Sequence, residues 1–120
     1  MSIVTELVNM KTNGSVSAQE FIKIIDTLER DFHSKQAGFV DTELLHDEKA
    51  DLWIMIQHWA SAKEMKAASS KMFKDSKTEA YRNAIDPKTV KISVYPTLQT
   101  WTGAPGKKVT GHCYCSYEQL

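Results

Sequence analysis

The sequence predicts an α+β sandwich, in which a four-stranded antiparallel sheet carries two helices on one face. Three observations support this fold class. Apolar residues alternate in strand-like fashion near both ends of the chain, two segments of helical periodicity separate the strands, and one central strand is apolar on both faces. The predicted order of elements is therefore strand, helix, strand, strand, helix, strand.

The first strand and the first helix are predicted from the N-terminal third of the chain. Residues 2–11 alternate as a strand does. Ser17 and Glu20 then form a capping box, which satisfies backbone donors at the start of a helix. The apolar positions that follow recur on one side of that helix: Phe21, Ile24, Ile25, Leu28 and Phe32. We expect the helix to end near Lys35.

The third predicted strand indicates how the protein assembles. Residues 39–46 predict the second strand and residues 52–60 the third, with a polar turn between them. The third strand has Leu52, Ile54 and Ile56 on one face and Trp53, Met55 and Trp59 on the other. Two helices can cover only one face of the sheet, so we expect a second copy of the chain to cover the other. The sequence therefore predicts a homodimer formed through the sheet face.

The second helical region and the last strand complete the pattern. Ser61 and Glu64 start the helix, Asp75 marks a break in it, and Pro87 ends it. Its apolar side comprises Met65, Ala68, Met72 and Phe73, then Ala80, Tyr81, Ala84 and Ile85. Residues 90–95 predict a fourth strand, which the following proline either disrupts or confines to an edge of the sheet.

This order of elements, joined by right-handed crossovers, is the split βαβ arrangement of a ferredoxin-like βαββαβ sandwich. We expect residues 1–101 to form this single domain and residues 102–120 to form a C-terminal loop and tail.

Composition excludes several classes of function. The 15 basic residues balance the 15 acidic residues, whereas nucleic-acid binders carry a basic patch. No apolar run approaches the ~20 residues that cross a bilayer, and the N-terminus lacks the basic and apolar segments of a signal peptide. We therefore expect a cytoplasmic protein with neither a nucleic-acid nor a membrane partner.

A family resemblance adds to this prediction. The strand ending Gln-His-Trp-Ala-Ser at residues 57–61 is followed by a helix with a Met72-Phe73 pair, by the stop at Pro87 and by a final strand. This succession, over about residues 2–101, resembles the antibiotic-biosynthesis-monooxygenase family of dimeric α/β-barrel proteins, which often have Trp-x-Ser before the second helix. The resemblance implies two sheets that meet face to face, and cofactor-independent oxidation of a flat aromatic or quinol-like compound.

The same resemblance argues against haem degradation. Haem-degrading members use an Asn on the first strand together with a Trp and a His on the second helix. Asn9 lies on the first predicted strand, but the Trp position falls near Ala68, and no His occurs between Ser61 and Thr110. We therefore expect a small-molecule site without a cofactor.

Six residues are candidates for that site. Histidine side chains are common proton carriers, so His58 could relay a proton, and Arg82 could stabilise a substrate anion. These two are the predicted catalytic residues. The predicted substrate-binding residues are Trp59, Tyr81, Phe73 and Asn9. A packed or surface role explains each of them as well, and His33 and His46 are expected to be solvated because they lie at the ends of elements.

The tail contains a second chemical pattern. His112, Cys113 and Cys115 offer three soft ligands within four residues, but zinc requires a fourth ligand and usually wider cysteine spacing. A redox pair or two free cysteines are the alternatives, and we predict no metal. Three functions thus remain open: an oxygenase, a non-catalytic dimeric binding or regulatory module, and a metal- or thiol-dependent activity of the tail.

Overall fold

The computed structural model describes residues 3–103 and confirms the predicted α+β ferredoxin-like fold. One antiparallel sheet has the strand order β2-β3-β1-β4. Its strands are β1 (Val4–Met10), β2 (Phe39–Asp47), β3 (Leu52–Trp59) and β4 (Lys91–Pro96). The helices are α1 (Ala18–Asp31), α2 (Ala62–Met72) and α3 (Glu79–Ala84), with 3-10 turns at His33–Lys35, Ser76–Thr78 and Pro87–Thr89. No helix in this part of the chain is long and apolar enough to cross a membrane.

The predicted capping residues start both long helices. The Ser17 hydroxyl accepts a hydrogen bond from the backbone N–H of Glu20, and the Glu20 carboxylate accepts one from the backbone of Ser17. Ser61 caps α2 in the same way, but the Glu64 carboxylate accepts from the Ser61 hydroxyl instead of its backbone. The first helix ends at Asp31, before the expected Lys35, because the chain tightens there into a 3-10 turn.

The core lies between the sheet and the helices. Val8 and Met10 of β1 and Trp53 and Met55 of β3 are buried on this face, against Phe21 of α1. The rings of Phe21 and Trp53 pack edge to face with centroids 4.9 Å apart, a favourable aromatic geometry. Residues of α3 belong to this cluster, and residues of α2 form a second cluster with the residue that begins β1 and the residue that ends β3. All three helices therefore cover the same face of the sheet.

The other face of the sheet, which we call the open face, is covered by no element of residues 3–103. Alternation along the strands places these side chains there: Leu7 from β1, Leu45 from β2, Leu52, Ile54 and Ile56 from β3, and Tyr95 from β4. All of them keep solvent contact, and Leu45 and Tyr95 are exposed. Both faces of β3 are apolar, as predicted, but helices cover only one.

Candidate functional site

A cavity of about 320 Å³ lies between the sheet and the segment from α2 to β4. Its apolar wall includes Val8, Met55, Met72, Ile85, Val90 and Ile92. The volume falls at the lower end of the ~300–1,000 Å³ typical of small-molecule sites, and few polar groups face into it. Its lining comes from β1, β3 and β4 of the sheet and from α2, α3, His33 and the segment before β4.

Four of the six predicted site residues line this cavity: Trp59, Phe73, Tyr81 and Arg82. Trp59 ends β3 and is 1% exposed, so its ring forms part of the inner wall. Phe73 directly follows α2 and is 75% exposed, which places it at the opening. The structure thus brings together residues that lie more than twenty positions apart in the sequence.

The other two predicted residues lie outside the cavity. Asn9 and His58 alternate with the cavity-facing residues of β1 and β3, so both belong to the open face. His58 Nδ1 lies 2.6 Å from the Asp41 carboxylate on β2. His58 therefore cannot exchange a proton directly with a compound bound in the cavity.

Tyr81 contributes its ring more than its hydroxyl. The hydroxyl donates to Met10 Sδ at 3.1 Å inside the core. Burial, together with the nearby carboxylates of Glu29 and Glu6, raises the pKa of Tyr81 far above its usual value. The hydroxyl therefore stays protonated and already has a partner, so the side chain presents an aromatic surface to the cavity.

Arg82 is the cation of the site. Its Nε donates to Thr78 Oγ1 at 2.9 Å, and one terminal nitrogen donates to the Asp75 carbonyl at 3.2 Å. These bonds fix a half-buried guanidinium beside the cavity. Within the described residues its other terminal nitrogen has no hydrogen-bond partner, so it can bind a negatively charged oxygen of a ligand.

Sequence reasoning missed Glu6, which also lines the cavity. Glu6 is 5% exposed, and the Trp59 indole Nε1 donates to its Oε1 at 3.0 Å. Burial raises the pKa of this carboxyl, while the Trp59 hydrogen bond and the charge of His33 oppose that shift. The signal was present in the sequence, because Glu6 is a charged residue on the strand face that carries Val4 and Val8.

His33 was expected to be solvated, and that prediction was wrong, because it is 4% exposed and lines the cavity. The 3-10 turn after α1 carries its ring inward, where it lies 5.8 Å from Phe39 and 6.0 Å from Trp59, centroid to centroid. His33 Nδ1 lies 2.5 Å from Glu29 Oε2. The other oxygen of Glu29 accepts from Thr42 and from Gln57, so the carboxylate is fully engaged.

A metal centre is not formed by these groups. No cluster of three His, Cys, Asp or Glu side chains with metal-binding geometry occurs within residues 3–103. The predicted ligands His112, Cys113 and Cys115 lie outside the described residues.

Comparison with solved structures shows the same fold. Two crystal structures of SnoaB, a cofactor-independent oxygenase from Streptomyces nogalater, one of them a mutant, match with 20–21% identity and TM-scores of 0.64 and 0.66. Each match covers 83% of this chain and 97% of SnoaB. A putative antibiotic biosynthesis monooxygenase from Chloroflexus aurantiacus matches with 15% identity and a TM-score of 0.61, over 84% of this chain and 98% of that one.

A conserved protein from Methanosarcina mazei matches with 15% identity and a TM-score of 0.59, over 79% of this chain and 92% of that one. A search of the curated proteins finds no significant match. The family model for antibiotic biosynthesis monooxygenases matches residues 9–85, more than half of the 120 residues. The chain therefore belongs to the antibiotic biosynthesis monooxygenase family.

Proposed function

We propose that this protein binds a small, flat aromatic or quinol-like compound in the cavity and oxidises it with molecular oxygen, without a cofactor. The observation that carries the proposal is the mostly apolar cavity, open at one side, with a few polar groups in its lining. A module that serves only for dimerisation has no need of such a space. Membership of the family, and the description of SnoaB as a cofactor-independent oxygenase, support the same reaction type.

The lining residues suit this chemistry. Trp59 and Phe73 offer aromatic faces on which a flat ring can stack. Without a cofactor the substrate itself supplies the electrons that reduce oxygen: a quinol that loses two electrons and two protons becomes a quinone, and oxygen takes up both to become hydrogen peroxide. The quinol gives up electrons most readily after one hydroxyl has lost its proton to water, when its oxygen carries negative charge. Arg82, held by Thr78 and Asp75, is the group placed to stabilise that charge. A ligand that fills the apolar cavity would displace water from it, which would strengthen this electrostatic contact.

The proposal includes a homodimer formed through the open face. Leu7, Ile54, Ile56 and Tyr95 form an apolar surface that spans three strands. Packing of this face against the same face of a second copy would remove it from water, since such a C2 interface is self-complementary. The cavity lies on the opposite face of the sheet, so dimerisation leaves its opening free.

Oxygen uptake with a panel of quinols and polycyclic phenols tests the proposed reaction. Ala68 lies on α2 and lines the cavity, whereas its neighbour Ala67 is exposed and does not. We expect oxygen uptake above the no-protein rate for at least one compound, its loss in Ala68→Phe, and its retention in the matched control Ala67→Phe. Circular dichroism would confirm that both variants fold.

The result that would contradict the proposal is equally definite. Oxygen uptake that never exceeds the no-protein rate across the panel would exclude the oxygenase. If compounds nevertheless bind to the wild type but not to Ala68→Phe, the protein is a non-catalytic binding module. If Ala68→Phe consumes oxygen as fast as the wild type, the reaction does not take place in this cavity.

A further inference from the structure

The polar part of the cavity lining holds two titratable side chains from separate elements, Glu6 on β1 and His33 in the turn after α1, with the amide of Gln57 beside His33. Both are at least nine-tenths buried. A buried carboxylate is costly unless hydrogen bonds satisfy it. The hydrogen bonds that each polar atom makes therefore show which atoms remain available to bind a ligand.

Glu6 has one oxygen engaged and one available. Its Oε1 accepts the Trp59 indole N–H at 3.0 Å. Its Oε2 has no hydrogen-bond partner among residues 3–103, although every fully buried side-chain nitrogen and oxygen in this part of the chain has one. Oε2 therefore keeps contact with accessible space, and the space that Glu6 borders is the cavity.

His33 lies close to Glu6, because both contact Trp59. Its Nδ1 lies 2.5 Å from the Glu29 carboxylate, which favours the proton on that nitrogen. Its Nε2 has no hydrogen-bond partner among the described residues, so this nitrogen also borders accessible space. The Tyr81 hydroxyl already binds Met10, so Glu6 Oε2 is the carboxylate oxygen that a ligand hydroxyl meets in this part of the cavity.

We infer that Glu6 determines the specificity of the cavity by accepting a hydrogen bond from a hydroxyl of the ligand, so that the ligand class is a phenol or an enol. The inference rests on the proposed function, since it requires that the ligand occupy this cavity. A carboxylate repels carboxylate ligands, and an ether leaves its buried oxygen unpaired. Arg82 also lines the cavity and is left for negative charge on the ligand.

Two probes that differ only in the donor test this inference: 1-naphthol and its methyl ether, measured by equilibrium dialysis. We expect the wild type to bind 1-naphthol about tenfold or more tightly than the ether, as a hydrogen bond to a charged group provides. Glu6→Leu should lose this preference. Glu6→Gln keeps an oxygen for Trp59 and turns an amide donor toward the cavity, so it should lose or reverse the preference while it folds.

A surface control separates this role from a general effect of charge. Glu48 is exposed in the β2–β3 turn, and Glu48→Gln should retain the full preference for 1-naphthol. Equal binding of the two probes by the wild type, a preference retained in Glu6→Gln, or no binding of either probe would each overturn the inference. Oxygen uptake is measured independently. Uptake without a hydroxyl preference overturns the inference alone, and a preference without uptake overturns only the proposed oxidation.

Discussion

The hydrogen bond between Trp59 and Glu6 links the core to the cavity, and its contribution to stability can be isolated. Trp59 Nε1 lies 3.0 Å from Glu6 Oε1, and both residues are at least nine-tenths buried. A hydrogen bond to a charged group contributes about 1.5–3 kcal/mol net. Trp59→Phe removes the donor and leaves the carboxylate oxygen without it, so the variant should lose at least this much free energy of unfolding, in addition to the lost packing.

A double-mutant cycle with Trp59→Phe and Glu6→Leu separates the hydrogen bond from the packing. Once Glu6 is replaced, Trp59→Phe should cost about 1.5–3 kcal/mol less than it does in the wild type. The assay is urea unfolding followed by circular dichroism, because the substitution removes a fluorophore. All four proteins should be measured at one concentration, since a dimer makes apparent stability depend on concentration.

Trp53 provides the matched control for this cycle. It lies on the same face of β3, is similarly buried, and packs against Phe21. Its indole nitrogen has no hydrogen-bond partner among the described residues, and its partner across the ladder is Met10, not Glu6. Trp53→Phe and Glu6→Leu should therefore be additive. A coupling below about 0.5 kcal/mol for Trp59 and Glu6 would refute the reasoning, because independent sites already agree within that margin.

Three further predictions concern pH, assembly and backbone strain. Burial raises the Glu6 pKa above 4.5, so at pH values just above 4.5 the native state keeps a proton that the unfolded chain releases. The contribution of Glu6 to the free energy of unfolding therefore falls as the pH rises from 4.5 through the raised pKa. The stability of Glu6→Gln relative to wild type should therefore increase from pH 4.5 upward in urea titrations, and a pH-independent difference would contradict this. Ile54→Asp places a charge on the open face and should yield monomers, whereas the exposed control Thr27→Asp should stay dimeric. Light scattering measures the mass of both, and an unchanged mass for Ile54→Asp would exclude a dimer interface on the open face. Gly38→Ala should lower the melting temperature more than Gly14→Ala does. Both glycines have positive φ, but only Gly38 lies against a side chain of α2. Equal decreases in melting temperature would contradict this contact.

The sequence specified the fold well because its local signals agree with one another. Alternation in the strands, the two serine caps and the stop at Pro87 all lie where the structure uses them. The break at Asp75 also occurs as predicted, where the Asp75 carboxylate accepts the backbone N–H of Lys77. Each of these features depends on neighbours in the chain, so periodicity and capping chemistry were sufficient to find them.

The same reasoning predicted only part of the candidate site. Trp59 and Arg82 were chosen for their chemistry, and the fold brings both to the cavity. His58 was chosen on equal grounds, but successive side chains of a strand point to opposite faces of the sheet. Because Trp59 faces the cavity, its neighbour His58 lies on the open face. His33 was missed because its burial depends on a 3-10 turn that packs it under Phe39 and Trp59, a contact that no local pattern encodes.

The buried charges around the cavity are more readily explained by ligand binding than by stability. A leucine at position 6 together with a phenylalanine at position 59 would continue the apolar face that Val4 and Val8 begin, and replacing both partners of a buried hydrogen bond with apolar groups is often nearly neutral or stabilising. Glu6 instead requires Trp59 as a donor and still leaves one oxygen facing the cavity. The fold thus maintains a carboxylate in a place where packing alone favours a hydrocarbon. What Glu6 adds there is a hydrogen-bond acceptor for a molecule that enters from outside.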